Sequence, residues 1–265
     1  MHPIKPDNPF VIFSAFFNKK FSVPAVSYIH PIQAGKAIAN FDLGMEGDDT
    51  GDNISAQNQN FSELTVAYHV WKNYNSKSLP YWGLCHYRRY FCKHLHWLKL
   101  KKEYHFTNQE KAFELIFTPE LYAEIEHNLL AGKVIAPIPY RFLKLKKWSV
   151  KQQYIKDHDA VSWDLTAAAI EELYPEYSKS FKLLGDGLTC CWYNMLMASW
   201  DFWDGYLTFL FAILFRVKED LVINQNRLQI RIFGNLSERL LTTYIHHHEK
   251  HNGLQIHYLP IAHLY

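Results

Sequence analysis

Four stretches of apolar and aromatic residues have the length of β-strands and are bounded by polar or turn-forming positions. Residues 10–17 form a continuous apolar run, the pattern of a strand buried on both faces. Residues 81–91 follow Pro80 and are dense in aromatic and apolar side chains. Residues 134–137 and 189–197 are further apolar runs. We therefore predict four strands, separated by longer segments of mixed character.

The first helical pattern follows a polar segment in the N-terminal part of the chain. Leu64, Tyr68 and Trp71 recur at the spacing of one helical face. Asn60 and Glu63 lie three positions apart, which is the pattern of a capping box. We expect Asn60 to cap this helix.

Three further regions have helical patterns. Thr118 and Pro119 suit the cap and first position of a helix that we expect to end near Gly132. Residues 150–173 also have helical patterns, and so does the chain from the fourth strand to about His248.

The order of these elements predicts the fold class. Strand, helix, strand, helix, strand and then late helices indicate an α/β fold, with a mainly parallel sheet, helices on both faces and a helical C-terminal part. We predict one domain over residues 1–265. Such sheets bind ligands beyond the carboxyl ends of their strands. A ligand is therefore expected at the loops after Phe17 and after the strand that begins at Tyr81.

Composition excludes several classes of protein. Charged residues make up 20% of the chain and the net charge is +2, which fits neither a disordered chain nor a strongly basic nucleic-acid-binding protein. The N-terminal residues lack the apolar run of a signal peptide. The apolar run 206–215 is far shorter than the roughly 20 residues that span a bilayer. Since the four cysteines form no CxxC pair, we expect reduced thiols and a cytoplasmic location.

The densest cationic cluster is the sequence HYRR near the end of the second predicted strand. His86, Arg88 and Arg89 could hold a diphosphate through bidentate, charge-assisted hydrogen bonds. Strand alternation would place Arg88 on the face of His86 and Arg89 on the other face, so that one arginine would be structural. A salt-bridged sheet edge is the alternative interpretation.

Three sequences raise the question of a metal site. DDTGDN, residues 48–53, has carboxylates that suit a divalent cation or sugar hydroxyls, but Asp, Gly and Asn are also common in turns. The histidine-rich tract 246–251 and the alternation of Cys92, His94 and His96 each lack a second half at zinc-site spacing. We predict no metal held by the protein alone, with Mn²⁺ or Mg²⁺ at DDTGDN as the alternative.

The motifs that the sequence contains, and those that it lacks, restrict the reactions the protein could catalyse. The sequence contains no GxSxG, P-loop or GxGxxG motif, which argues against several hydrolases, kinases and dehydrogenases. Glu238 follows Asn235 by three positions and so forms a second capping-box pattern. A carboxylate at a helix start is also a candidate general base. Arg239 should project about 100° away from Glu238 on a helix, so it need not neutralise that carboxylate.

Six segments occur in an order that resembles one bacterial family. They are SYIHPIQAG (27–35), DDTGDNIS (48–55), FSELTVAYHVWKN (61–73), GLCHYRRYF (83–91), YNMLMASWDFWDGYLTFLFAIL (193–214) and FGNLSERLL (233–241). The series resembles the family catalogued as domain of unknown function 4422, which is found among capsule and O-antigen biosynthesis enzymes. The resemblance covers roughly residues 10–245 and implies a glycosyltransferase of GT-A-like fold, with galactosyl transfer as the attested activity.

The resemblance implies a donor, an acceptor and a division of the chain. A UDP-sugar, with galactose in pyranose or furanose form, would donate to a lipid-linked or oligosaccharide acceptor in capsule, O-antigen or lipooligosaccharide synthesis. Residues 10–140 would bind the donor and residues 141–265 the acceptor. Many GT-A enzymes hold a metal on the donor diphosphate with an Asp-x-Asp pair. HYRR stands at that place here, so fixed cations are expected to replace the metal.

The expected site residues lie within these segments or elsewhere in the region that the resemblance covers. The expected donor-binding residues are Gln33, Asp49, Asp52, Asn53, Glu63, His86, Arg88 and Arg89, and the expected acceptor-binding residues are His158, Asp164 and Asn194. Glu238 is the expected catalytic base, with Asp186 and Asp204 as competing candidates. The alternative function is a non-catalytic nucleotide- or sugar-binding subunit of a polysaccharide assembly complex. Either protein would work in the cytoplasm, at the inner face of the membrane.

Overall fold

A computed structural model of the chain describes residues 8–95, 101–141, 147–223 and 230–265. In these ranges the strands are β1 Phe10–Phe16, β2 Ile29–Gln33, β3 Glu46–Gly47, β4 Tyr81–His86, β5 Arg89–Phe91, β6 Glu103–Phe106, β7 Val134–Pro137, β8 Leu196–Ser199, β9 Ile256–Leu259 and β10 Ile261–Leu264. The helices are α1 Asn58–Phe61, α2 Leu64–Asn73, α3 Gln109–Ile116, α4 Pro119–Leu130, α5 Val150–Asp157, α6 Ala160–Leu173, α7 Ser178–Asp186, α8 Trp200–Asp220 and α9 Ile232–Asn252.

All ten described strands belong to one sheet that branches at β4. β1 pairs in parallel with β2 on one side and with β4 on the other. The far edge of β4 is divided, because residues 81–84 pair with β8 whereas His86 pairs with Arg89 of β5. One branch continues through β8 to β7 and β9, and the other through β5 to β10 and β6. Five of the nine pairings in the described ranges are parallel, which confirms the mainly parallel α/β sheet.

Strand β1 shows why the sheet carries helices on both faces. Every residue of β1 is buried. Phe13 and Ala15 face a core built largely with α2 and α6–α9, while Phe10 and Ile12 face a core that includes α3 and α4. Burying one such large apolar side chain contributes about 1.5–3 kcal/mol. The continuous apolar pattern therefore corresponds to a central strand between two layers, as predicted.

Several elements begin where the sequence predicts them. β1, β4 and β7 start at Phe10, Tyr81 and Val134. Helix α4 is capped by Thr118, whose Oγ1 accepts a hydrogen bond from the backbone N–H of Leu121 at 3.2 Å. The apolar run 206–215 lies within the largely buried helix α8. Among the helices of the described ranges, none has both the length and the apolar character that crossing a bilayer requires.

The second and fourth predicted strands differ from the structure. Residues 81–91 form two strands because the chain turns at Tyr87 and Arg88. Residues 189–197 contain strand only from Leu196 onward. Tyr193 and Asn194 adopt positive φ angles of 77° and 52°, which interrupts an extended backbone before β8.

Both predicted capping boxes are wrong. The side chain of Asn60 donates to the carbonyl oxygen of Ile230 at 2.7 Å, and α2 begins only at Leu64. Helix α9 begins at Ile232, so Glu238 lies in its second turn rather than at its N-terminus. In both cases a long-range contact, unseen in the local pattern, uses the side chain.

The two predicted halves of the chain share the sheet. β10, from the second half, lies between β5 and β6 of the first half. β8 pairs with β4 across the same division. A boundary near residue 140 therefore separates no structural unit.

Candidate functional site

A cavity of about 270 Å³ lies at the carboxyl ends of β1 and β4. Phe17 follows β1, and residues 86–89 contain the end of β4 and the turn into β5. The remaining lining residues are Asn58, Gln59, Ser62 and Arg231. Parallel strands β1 and β4 end at the same sheet edge, so the cavity occurs at the two loops where the sequence predicts a ligand.

Three arginines line this cavity: Arg88, Arg89 and Arg231. The turn at residues 87–88 brings Arg88 and Arg89 to one cavity, so the predicted separation onto opposite faces is wrong. Among the described residues, no carboxylate pairs with Arg88 or Arg89, whereas Arg231 Nη2 lies 3.6 Å from Glu63 Oε2. The Nε atom of Arg89 is buried and has no hydrogen-bond partner in the described structure. Free guanidinium groups in this arrangement suit a phosphate oxyanion.

Glu63 and His86 form the buried wall behind the arginines. His86 Nε2 lies 2.5 Å from the carbonyl oxygen of Tyr193 and 3.9 Å from Glu63 Oε1. Burial lowers the pKa of His86 to about 4, so this side chain is neutral at pH 7. Because Nε2 faces two acceptors, we assign its proton to that nitrogen.

The Glu63 carboxylate is only 3% exposed and remains ionised. Burial opposes its charge, but three effects outweigh burial and lower the pKa of Glu63: the positive charge that His86 gains only at acidic pH, the charge of Arg231, and a 2.7 Å hydrogen bond from Asn194 Nδ2. Since His86 is neutral at pH 7, Arg231 is the cation that balances this carboxylate. Three guanidinium groups against one carboxylate leave the cavity with excess positive charge.

The non-glycine residues with positive φ in the described ranges all belong to this cluster. They are Ser62 at 53°, Tyr193 at 77° and Asn194 at 52°. Ser62 Oγ accepts a hydrogen bond from Arg231 Nε at 2.9 Å, and the other two residues bond to His86 and Glu63. Such conformations cost about 1–3 kcal/mol each and persist where surrounding contacts fix them, often at functional sites.

Asn194 is a connecting residue rather than a residue open to a substrate. It is 4% exposed. Its Nδ2 atom donates to Gly234 O at 2.9 Å as well as to Glu63, and its Oδ1 atom accepts from Ser237 Oγ at 2.8 Å. These bonds use both polar atoms of the Asn194 side chain, so its predicted contact with the acceptor stays a prediction.

Glu238 lies next to the same cluster. Its Oε1 atom accepts from the backbone N–H of Tyr193 at 2.8 Å, and its Oε2 atom lies 2.7 Å from Arg239 Nη1. Arg239 therefore does pair with Glu238, although the two residues are adjacent on the helix, because the arginine side chain bends back to its neighbour. Burial nevertheless raises the pKa of Glu238, partly offset by Arg239. A raised pKa suits a carboxylate that accepts a proton.

The other two base candidates lie elsewhere. Asp186 is exposed at the end of α7. Asp204 is exposed on α8 and accepts a hydrogen bond from Trp71 Nε1 at 2.7 Å. Like Glu238, neither carboxylate lines the cavity, but Glu238 bonds to Tyr193 of the adjoining cluster and these two do not.

The predicted acceptor-binding residues are not gathered at one place. Asp164 is exposed on α6 and lies 3.2 Å from Lys151 Nζ. His158 is half-buried, with Nδ1 3.5 Å from Asn235 Nδ2. Neither lines the cationic cavity, and Asn194 is buried beneath it.

The predicted donor-binding residues of the N-terminal loops surround a different region. Gln33 is fully buried and bonds the backbone of Phe41 and Leu43 at 2.9 and 2.8 Å. Asp49 lines a separate, open hollow of about 560 Å³. Asp52 accepts from Tyr68 OH at 3.2 Å, and Asn53 closes a local turn by bonding Gly51 O at 3.0 Å. None of the four lines the cationic cavity.

No metal site is found among the described residues, where no group of three or more His, Cys, Asp or Glu side chains could hold an ion. In DDTGDN, the Asp48 carboxylate instead accepts from the backbone N–H groups of Gly35 and Lys36 at 2.8 and 3.1 Å. Of the Cys92, His94 and His96 alternation, His96 lies outside the described residues.

Sequence reasoning missed Arg231 and Ser62 as cavity residues. Arg231 lies far along the chain from HYRR, and it reaches the cavity because α9 packs against α1. Gly234 permits that approach, since a Cβ atom there would lie 3.2 Å from Ser62 Oγ. No local sequence signal would have identified either residue.

Comparison with known proteins adds two similarities. The family described as "Domain of unknown function (DUF4422)" matches residues 12–250. Among solved structures, the apo structure of the WbbM bifunctional glycosyltransferase resembles 97% of this chain, with a TM-score of 0.86 and 25% sequence identity. The present chain spans 45% of the length of that chain. No curated protein gives a significant sequence match.

Proposed function

This chain belongs to the DUF4422 family, and from that premise we propose that it is a glycosyltransferase that uses a nucleoside diphosphate sugar. The observation that carries the proposal is the set of three arginines around one cavity at the carboxyl ends of β1 and β4. The likeness to a structure named as a bifunctional glycosyltransferase supports the same reaction class.

The arginines supply the chemistry that the leaving group requires. Arg88, Arg89 and Arg231 hold the donor diphosphate in the cavity. Negative charge builds on the diphosphate as its bond to the anomeric carbon breaks. Fixed guanidinium groups stabilise that charge without reorganising during the reaction. Glu63 and Ser62 hold the Arg231 side chain in position, at 3.6 and 2.9 Å respectively.

The acceptor hydroxyl needs a group that takes its proton. Glu238 is the proposed base, because its pKa is raised and it lies beside Tyr193, whose carbonyl contacts His86. The deprotonated hydroxyl attacks the anomeric carbon while the diphosphate leaves with the bonding electron pair.

The family resemblance extends the proposal to a GT-A-like fold and specific substrates. The donor is UDP-galactose, in pyranose or furanose form. The acceptor is a lipid-linked or oligosaccharide intermediate of capsule, O-antigen or lipooligosaccharide, reached in the cytoplasm at the inner face of the membrane.

The test is the affinity for UDP, measured by titration calorimetry. Arg88→Ala should weaken binding by about 1.5–3 kcal/mol, the usual contribution of a hydrogen bond to a charged group. Arg216→Ala is the matched control, since Arg216 is ion-paired to Asp220 at 2.6 Å on the outer surface of α8. Unchanged UDP affinity in folded Arg88→Ala and Arg89→Ala would remove the arginines from the donor site.

Catalysis is distinguished from binding alone by UDP release. The native chain is incubated with UDP-galactose and a panel of acceptor oligosaccharides. Release that requires an acceptor supports the transferase. UDP binding without release across the panel would favour a binding subunit.

A further inference from the structure

A polar and aromatic face lies next to the cationic cavity, on strands β5, β10 and β6. His263 of β10 pairs with Arg89 of β5 on one side and with His105 of β6 on the other. Glu103 and Tyr265 lie two positions from His105 and His263, so they share this face. The residues between them face the apolar core, which leaves one half-exposed face made of charged and aromatic side chains.

Glu103 is the centre of this face. Its Oε1 atom accepts hydrogen bonds from Tyr193 OH at 2.8 Å, Tyr140 OH at 2.9 Å and His263 Nε2 at 3.0 Å. The side chain is 23% exposed, and its Oε2 atom takes part in none of these three bonds. The protein therefore holds the Oε1 atom in place, and these three bonds leave the Oε2 atom unused.

The surroundings of Glu103 make it a fixed anion. Burial opposes its charge, but the hydrogen bonds from His263, Tyr193 and Tyr140 hold the pKa of Glu103 at about 2. Such a carboxylate is a weak proton acceptor at neutral pH. It remains a strong hydrogen-bond acceptor, as binding a neutral hydroxyl group requires.

Aromatic rings flank the carboxylate. The rings of His105 and His263 stack with centroids 5.0 Å apart, and the ring of Tyr265 lies 5.6 Å from that of His105. Tyr265 is 57% exposed. The Tyr265 ring is linked to Glu103 through His263, which bonds to the carboxylate and lies 6.4 Å from Tyr265 between ring centroids. Such a row suits an oligosaccharide, which can pack a C–H face on the exposed ring while a hydroxyl group farther along donates to the carboxylate.

This face is continuous with the donor cavity through Arg89. The Arg89 guanidinium lies over the ring of Tyr193, 4.4 Å from its centroid, and Arg89 also lines the cavity. Tyr193 in turn donates to Glu103. A sugar bound at Glu103 would therefore be separated from a diphosphate at Arg89 by little more than these two side chains.

We propose that Glu103, Tyr140 and Tyr265 form a binding subsite for the acceptor saccharide. Glu103 Oε2 accepts from a hydroxyl group of the saccharide, Tyr140 borders the same position, and Tyr265 packs against another part of the same saccharide. The inference rests on the proposed function and places the acceptor away from Asp164, which pairs with Lys151 on the outer surface.

The test measures glycan binding directly. The native chain, saturated with UDP, is applied to an array of bacterial surface oligosaccharides, and the dissociation constant is measured for the strongest ligand. Glu103→Gln and Tyr265→Ala should each weaken glycan binding at least tenfold while leaving UDP affinity unchanged. Glu124→Gln is the matched control, because Glu124 also accepts from a histidine, His257, at 2.9 Å and is similarly exposed. It should bind glycan normally.

Two outcomes would overturn the subsite: a native chain that binds UDP but no arrayed glycan, or native glycan affinity in both variants. Thermal unfolding of each variant separates a binding defect from loss of the fold, and Tyr265→Ala changes an exposed ring. Failure of the native chain to bind UDP would count against the proposed function, whereas the glycan measurements would still decide the subsite.

Discussion

At the scale of single residues, two carboxylates near the cavity acquire opposite properties from their surroundings. Glu103 receives three side-chain hydrogen bonds, which keep its pKa near 2 despite burial. Glu238 also has partners, the Tyr193 N–H and Arg239, but burial prevails and its pKa is raised. The first is suited to hold a hydroxyl group and the second to remove a proton.

The role of Glu238 can be tested with an isosteric change. Glu238→Gln should lower turnover by about 10²–10⁴-fold, since the amide cannot take a proton from the acceptor. The native rate should fall as pH is lowered through the raised pKa of Glu238, and the residual rate of the variant should lack this dependence. Steady-state kinetics and UDP calorimetry are the measurements.

The control for this change is Glu219→Gln, an exposed glutamate on α8. Its turnover and UDP affinity should equal those of the native chain. Near-native turnover in Glu238→Gln would exclude the base assignment.

The arginine cluster also predicts the response to chelation. If fixed cations neutralise the leaving diphosphate, transfer should continue in excess EDTA at close to the untreated rate. The assay follows UDP release before and after chelation. Complete loss of activity that Mn²⁺ or Mg²⁺ restores would contradict this prediction and direct attention to residues 48–53.

At the scale of elements, the cavity depends on how α9 and the segment before β8 meet the start of α2. Asn194 bonds to Glu63 beside α2 and to Gly234 of α9. Asn194→Ala should therefore lower the free energy of unfolding by about 2–4 kcal/mol, because it leaves buried polar groups without partners and keeps a side chain at positive φ. Asn194→Gly should lower the free energy of unfolding by about 1 kcal/mol less than Asn194→Ala does, since glycine adopts that conformation freely.

Urea denaturation gives these unfolding free energies. Asn235→Ala is a suitable control, because the Asn235 amide makes only a long contact of 3.5 Å, to His158, among the side-chain bonds of the described residues. A native-like stability for Asn194→Ala, together with selective loss of transfer, would instead restore Asn194 as an acceptor-binding residue.

Local signals explain which elements the sequence predicts correctly. β1 is recognisable from its continuous apolar run, and α4 from its Thr118–Pro119 start. β6 and β10 are four residues each, and β6 contains the charged Glu103 and the exposed His105. Their strand character comes from pairing with each other and, for β10, with β5. A short stretch of sequence does not show which strands will pair with it in the sheet.

The residues of the candidate site also divide into those with a local sequence signal and those brought in by long-range packing. HYRR is contiguous, so its positive charge is visible in the sequence. Arg231 and Glu103 join it only through packing of α9 and pairing of β6 with β10. The pairing of Glu238 with Arg239 is also not evident from the sequence, because helical geometry fixes the direction of the Cβ atom but not the path of a long side chain.

At the scale of the whole molecule, the site lies where the sheet divides. β4 leaves β8 after Leu84 and meets β5 at His86. Residues that approach this branch point include Tyr193, which bonds to His86 and lies against Arg89. Both proposed subsites therefore lie beside the branch point of the sheet at β4. The donor subsite takes Arg231 from the second half of the chain, and the acceptor subsite takes Glu103 from the first.

The position of β10 has a consequence for how the protein is made. β10 fills the place between β5 and β6, yet the ribosome adds it more than 150 residues after them. Until β10 emerges, the edges of β5 and β6 that it will cover have unpaired backbone groups and exposed apolar surface. Closing so long a loop is slow, and unpaired strand edges can meanwhile pair with other chains and aggregate. The sheet at β5 and β6 should thus be completed only after β10 has left the ribosome, and the yield of active protein in cells should depend on chaperones that shield the nascent chain until then.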